Sequence, residues 1–289
     1  MARPPADAPT GSSGTRGILN PALGLRRFDL QRFDTAPTLR DFVSRVWVVR
    51  WDLGNQHHDQ EILPFPRVNV SFQSAQARVV GPSGERFVAN LTGRGCVLGV
   101  RFEPAGFAAF SNRPMTEWLG AQASVAETWG APGAALTRDL NERCENFANP
   151  GLSDERLTRA RELLEEYLCG RCRAYPAAER DQVRELNSLI ERAQSDRELK
   201  RAEQLAALAG CSLRSLQRSF ERLVGVSPKW VLCRARAQEA AERISSGETV
   251  DWPRLALELG YHDQAHFIRD FKAQIGFTPT AYAARCKEG

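Results

Sequence analysis

Apolar and polar residues alternate in short runs between Leu25 and Val100, and fall into helical periods beyond that. Val43, Val46, Trp47, Val48, Val49 and Trp51 form a β-branched and aromatic run that Gly54-Asn55 is expected to end. Val68-Asn69-Val70-Ser71-Phe72 alternates strictly, and Arg78-Val79-Val80 runs into the turn Gly81-Pro82-Ser83-Gly84. Arg86-Phe87-Val88 predicts a further strand, and Cys96 to Phe102 another that stops before Pro104. Short strands at this spacing predict a small antiparallel β-barrel or sandwich.

After Pro104 the period changes, and helices are predicted over 105–112, 114–120, 131–147 and 153–168. Ser153 stands as an N-cap, and Leu157, Leu163, Leu164, Tyr167 and Leu168 make an apolar stripe. This stripe suits either packing against the strands or a dimerisation surface carrying Leu157, Leu164 and Leu168. Gly170 and Pro176 predict a linker. The expected organisation is a disordered tail over 1–17, a β-barrel sensor or interaction domain over 18–130 and a helical hairpin over 131–170. A linker over 171–180 and a helical domain over 181–289 follow.

The helical punctuation of the last segment is specific. Leu205, Ala206 and Leu208 make a short amphipathic helix, Gly210-Cys211-Ser212 a tight turn, and Ser212 an N-cap. The next helix, Leu213 to Val224, places Leu216, Phe220 and Leu223 on one side. Arg214, Arg218 and Arg222 recur at i, i+4 and i+8 on the other, with Gln217 beside them. A second unit repeats the arrangement. Asp251 caps a helix with Pro253 in its first turn, Gly260-Tyr261-His262-Asp263 turns, and Gln264 to Ile275 buries Phe267 and Phe271. Arg269 and Lys272 point elsewhere. Basic side chains on one edge of a second helix after a tight turn is the helix-turn-helix arrangement. Arg and Gln can contact guanine and adenine bidentately. Between the units, Ser227 and Pro228 open a helix to Ser246 that would span about 28 Å. That length would let two reading helices enter successive major grooves, about 34 Å apart.

Composition narrows the classes. The chain has 289 residues, 42% hydrophobic and 26% charged, with a formal charge of +4. It is only mildly basic, so DNA binding has to come from placed charge rather than from a cationic coat. No apolar run is long enough for a membrane span, and residues 1–17 lack the apolar core of a signal peptide. Membrane contact is therefore not expected and the location expected is the cytoplasm. The cysteines number 7, an odd count suited to reduced thiols. Cys169 and Cys172 have C-x-x-C spacing without a second pair, and Cys96 and Cys144 are isolated.

These motifs resemble the AraC/XylS family of transcription regulators. The second unit carries Gly260, Tyr261, Asp263, Gln264, His266, Phe267, Arg269, Phe271, Gly276, Thr278, Pro279 and Tyr282. The first carries Leu205, Ala206, Leu216, Gln217, Arg218, Phe220, Gly225, Val226, Ser227, Pro228 and Arg236. The resemblance implies two reading helices joined by a rigid helix, with base-facing residues at Arg214, Gln217 and Arg218. In the second unit it implies Gln264, Ala265, His266, Ile268 and Arg269. Ala265 and Ile268 replace the small hydroxyl residues common in the family, which favours apolar contact there. Lys272 is either a phosphate contact or plain surface charge.

The family's sensor domains are often cupin-like β-barrels, so the resemblance implies an α+β chain: a cupin-like barrel with helices, then an all-α double helix-turn-helix domain. Leu63-Pro64, Val68 to Phe72, Val80-Gly81-Pro82, Gly99 to Pro104 and Trp129-Gly130 resemble a subgroup of uncharacterised sensor domains. Double-stranded DNA, RNA polymerase, a small-molecule effector and a second copy of the chain are the implied partners, and transcription regulation, as activator or repressor, the implied role. No cofactor or metal is expected. Trp47, Trp51, Phe65, Phe72 and Phe102 either line an effector pocket or form core, and Arg101 either binds an anion or faces outward. The competing class is a DNA-associated enzyme: a cysteine-dependent repair protein, or a cupin-type metal enzyme. The latter would have to use His57, His58 and Glu61, yet adjacent histidines on a strand point to opposite faces.

Overall fold

The structure, a computed structural model, describes residues 18–19, 21–63, 65–73, 76–143, 153–246 and 250–287. The expected tail over 1–17 and Cys144 lie outside the described residues. After a short helix α1 (Pro21–Gly24), the alternating segment forms one antiparallel sheet. Its strands are β1 (Asp29–Phe33), β2 (Val43–Ile62), β3 (Asn69–Gln73), β4 (Gln76–Val80), β5 (Phe87–Phe102) and β6 (Gln122–Ser124). The order is β1-β2-β5-β3-β4-β6, open from β1 to β6.

The run expected to stop at Gly54-Asn55 continues to Ile62. The register against β5 slips between Asp52 and His57, with Gly54 at φ 56°, so the turn signal makes a bulge and not an end. The two segments expected around 86–88 and 96–102 are likewise one strand, β5. Alternation then does what its period dictates. Val46 faces Val100, Val48 faces Leu98, and both pairs are buried with Val70 and Phe72 on one side of the sheet.

Residues 106–109 and 115–118 form single 3-10 turns where short helices were expected. α2 (Val125–Arg143) starts before the expected boundary at 131, with a kink at Gly130 ahead of Pro132. α3 (Asp154–Arg173) is capped by the Ser153 hydroxyl, which accepts from the Arg156 amide. Leu136, Leu140, Leu157, Ala160, Leu164 and Leu168 all lie in the main core with the sheet. The apolar stripe expected as a possible dimerisation surface is therefore covered from within, because hairpin and sheet bury each other's apolar faces.

The segment expected as a linker over 171–180 is mostly helical. α3 runs through Gly170 to Arg173, and α4 (Ala177–Ser195) begins directly after Pro176, so 174–176 alone join them. Gly170 meets nothing a side chain would touch, and a helix tolerates it at modest cost.

The remaining helices are α5 (Ala202–Leu208), α6 (Leu213–Leu223), α7 (Pro228–Ser245), α8 (Trp252–Glu258), α9 (Gln264–Ile275) and α10 (Pro279–Lys287). α7 joins two cores. Val231 and Leu232 belong to the main core with Leu216, Phe220 and Leu223; Ala237, Ala240, Ala241 and Ile244 belong to a second core with Phe267, Phe271 and Ile275.

The sheet domain docks on both halves of the helical domain. Met115 and Trp118 share the main core with α6, and Leu19 and Leu63 join the second core. Gly225 (φ 82°) lies so close to the Met115 carbonyl that a Cβ there would sit 2.2 Å from its oxygen. Asn187 of α4 accepts from the Ala105 amide at 2.8 Å and donates to the Asp41 carbonyl at 2.8 Å. Glu61 of β2 receives Arg86 at 2.7 Å and Arg285 of α10 at 3.0 Å, and both guanidinium groups lie over the Phe277 ring.

Candidate nucleic-acid interface

Each of the two turns is built from local chemistry. Gly210 (φ 61°) and Gly260 (φ 77°) take the left-handed conformation that closes α5 onto α6 and α8 onto α9. Ser212 accepts from the Ser215 amide at 3.1 Å, and Asp263 accepts from the His266 amide at 2.7 Å. These caps satisfy orphan donors and fix where each following helix begins. The Asp263 carboxyl is held below its ordinary range by that backbone bond, with the His262 side chain adding to the effect.

On α6, Leu216, Phe220 and Leu223 are buried, and truncating a fully buried Phe such as Phe220 typically costs about 3–5 kcal/mol. Arg214, Gln217, Arg218 and Arg222 are all exposed on the outer side. They are not equivalent. Arg222 hydrogen-bonds Gln182 and pairs with Glu179 at 3.8 Å, both on α4. Arg214 and Arg218 have no ion-pair partner among the described residues.

On α9, Ala265, His266, Arg269 and Lys272 are exposed and Gln264 is half-buried. Arg269 and Lys272 have no ion-pair partner among the described residues. The His266 ring stands edge-on to Tyr261 at 5.2 Å, so it is oriented while remaining open to solvent. Tyr261 is in turn held by its hydroxyl, which donates to Asp270 at 2.6 Å. Ile268 is half-buried and packs against the second core.

Other residues singled out in the sequence are dispersed. His57 is exposed, while His58 is half-buried, with its Nε2 3.3 Å from Gln60 Oε1. Glu61 is occupied by two arginines. Cys169 lies beside Thr38 (3.1 Å), and burial pushes the Cys172 thiol up to about 12. Of the aromatics considered for a pocket, Phe65 is half-buried, and the other four do not line one space. Phe72 and Phe102 lie in the main core, whereas Trp51 packs with Phe28 and Leu91 in a separate cluster. Trp47 and Trp51 lie across Gly99 and Gly95 of β5, their cross-strand partners.

Two groupings were not legible in the sequence, although Arg101 was read there as an anion partner or an outward-facing residue. Arg234 of α7 is fully buried and bonded to the turn between β4 and β5, and Arg32, Arg45 and Arg67 gather near Arg101. The arginines at alternate strand positions were the available signal for the second.

Residues 205–285 match the family described as Helix-turn-helix domain, and residues 31–124 match Domain of unknown function (DUF6597). Over 80 residues the chain is 36% identical to an uncharacterized HTH-type transcriptional regulator of Haemophilus influenzae, covering 28% of this chain and 26% of that relative. Among solved structures, the C-terminal domain of AraT, a response regulator from Geobacillus stearothermophilus, is similar at a TM-score of 0.33. It is 23% identical and covers 35% of this chain and 84% of that one. ToxT from Vibrio cholerae is similar at 0.38, with 12% identity over 89% of this chain and 98% of its own. No helix among the described residues is long and apolar enough to cross a membrane. With its two capped turns and the family match over 205–285, the C-terminal domain is a helix-turn-helix domain.

Proposed function

We propose that the chain is a sequence-specific DNA-binding transcription regulator, with α6 and α9 as its reading helices. The observation that carries this is the pairing of two capped helices whose outward cations, Arg214 and Arg218 on one and Arg269 and Lys272 on the other, have no ion-pair partner among the described residues. Solvated arginines kept clear of carboxylates suit phosphate and base contact, and Arg with Gln217 supplies bidentate chemistry. Arg222 is left out of this set, since α4 already holds it. Ile268 is assigned a packing role, with Gln264, Ala265 and His266 carrying the base-edge contacts of α9.

α7 would hold the two helices apart by its length, about 27 Å for its span. Duplex DNA in the cytoplasm is the partner. The sheet domain supplies control, either through a small effector or through a second copy, and RNA polymerase is the expected downstream contact. Genome-wide mapping of bound sites, followed by titration of the full chain on the recovered sequence, tests this. A shared sequence bound far more tightly than random duplex supports it; equal affinity for both would overturn it.

A further inference from the structure

The face of the sheet turned away from α2 and α3 carries a concentration of like charge. Arg45 of β2 pairs directly across from Arg101 of β5, and Arg32 of β1 lies opposite Trp47, one step along on the same face. Arg67, just before β3, completes the group. The Ser44 hydroxyl oxygen accepts from Arg67 at 2.9 Å and from Arg101 at 3.3 Å, so two guanidinium groups share one neutral acceptor. The acid in the group, Glu103, is ion-paired to Arg67 at 2.9 Å.

The remaining donors are poorly served. Nε of Arg45 and Nε of Arg101 are buried without a hydrogen-bond partner, and Arg32 and Arg45 have no ion-pair partner among the described residues. Burial, together with Arg67 and Arg45, pushes the Arg101 guanidinium down to about 9. Arg32 is likewise lowered by burial and by Arg45. A fold built only for its own stability has no use for arginines brought together in this way, because each raises the cost of keeping the others charged. An oxyanion offsets that cost, and a guanidinium can bind one bidentately. The half-buried Trp47 ring, lying over Gly99 beside Arg32, adds an apolar wall.

The geometry points to this face as a binding site for a small, multiply charged oxyanion, a phosphorylated or polycarboxylate metabolite, held by Arg32, Arg45, Arg67 and Arg101 against Trp47. That such a ligand acts as an effector rests on the regulator reading above; that it binds does not.

The test is the melting temperature of the full chain in pyrophosphate, in citrate and in sodium chloride at matched ionic strength. A saturable rise of about 3–8 °C over chloride at roughly hundredfold excess over Kd is expected with at least one anion. Pyrophosphate alone would mark phosphate chemistry, citrate alone polycarboxylate chemistry. Arg45→Gln should melt higher than the parent without anion, since a repelling charge is gone, and should lose the anion-induced rise. Arg218→Ala, on the reading helix, should keep it. No rise above chloride, or an undiminished rise in Arg45→Gln, overturns the site. Loss of DNA binding in a separate titration would sink the regulator reading and leave this one standing.

Discussion

The guanidinium of Arg234, on the helix joining the two helix-turn-helix units, donates to the backbone carbonyl of Gly84 at 2.8 Å. It also donates to the Ser83 carbonyl at 2.7 Å and to the Gln274 carbonyl at 3.1 Å. The side chain is fully buried, and burial lowers its pKa to about 10. One cation thus ties the turn between β4 and β5 to both α7 and the end of α9. Arg234→Met should keep the volume but leave three carbonyl groups without a donor. The expected loss is about 2–4 kcal/mol of unfolding free energy, measured by urea titration. Limited proteolysis should cut the 81–86 turn faster. A change below about 0.5 kcal/mol would show that the tie is dispensable.

Arg218 and Arg222 lie one turn apart on α6, yet they should behave differently. Arg218→Ala is expected to cost about 1–3 kcal/mol of specific DNA binding, read by fluorescence anisotropy on the recovered site. Arg222→Ala removes a partner of Glu179 and Gln182 instead, so affinity should change little and stability by less than about 1 kcal/mol. Equal losses of affinity would return Arg222 to the reading surface.

The Asp263 cap makes α9 sensitive to acid. Its folded pKa is depressed, so its contribution is fully present above the ordinary carboxylate value and is lost as pH falls through the folded value. Asp263→Asn keeps a capping oxygen without the charge. The melting difference between parent and variant should favour the parent at about pH 6 and shrink below about pH 4. A difference that stays constant down to about pH 3 would assign the cap no charge-dependent part.

Thiol chemistry separates a regulator from a cysteine-dependent repair enzyme. Cys211 is exposed in the first turn, while burial raises Cys96 to about 11 and Cys172 to about 12. Iodoacetamide at about pH 8 should label Cys211 first and leave Cys96 and Cys172 untouched until denaturant is added. Rapid labelling of Cys172 in the native chain, mapped by mass spectrometry, would reopen the enzymatic reading.

The recognition half was legible because its determinants are local. Ser212, Ser227, Asp251 and Asp263 all cap the helices that their residue types predicted. The apolar spacing of Leu216, Phe220 and Leu223 gave the buried side of α6 directly. Where a reading depended on what lies across space, sequence went wrong or stayed open. Gly54-Asn55 signals a turn, and only pairing with β5 makes it a bulge. Leu157, Leu164 and Leu168 form the same stripe whether they meet a second copy or the sheet. Ile268 sits at a reading position by spacing, and only the folded domain shows that it is also half-buried against the second core.

The sequence by itself determined the two helix-turn-helix units, their caps and the side of α6 that faces outward, because periodicity and capping act within a few residues. Tertiary structure decided which outward cations stay unpaired, that the helical hairpin closes onto the sheet, and that Arg234 ties the domains together. It also decided that arginines scattered from residue 32 to residue 101 meet on one face. Those outcomes depend on charge and packing between residues far apart in the chain, and no local pattern encodes them.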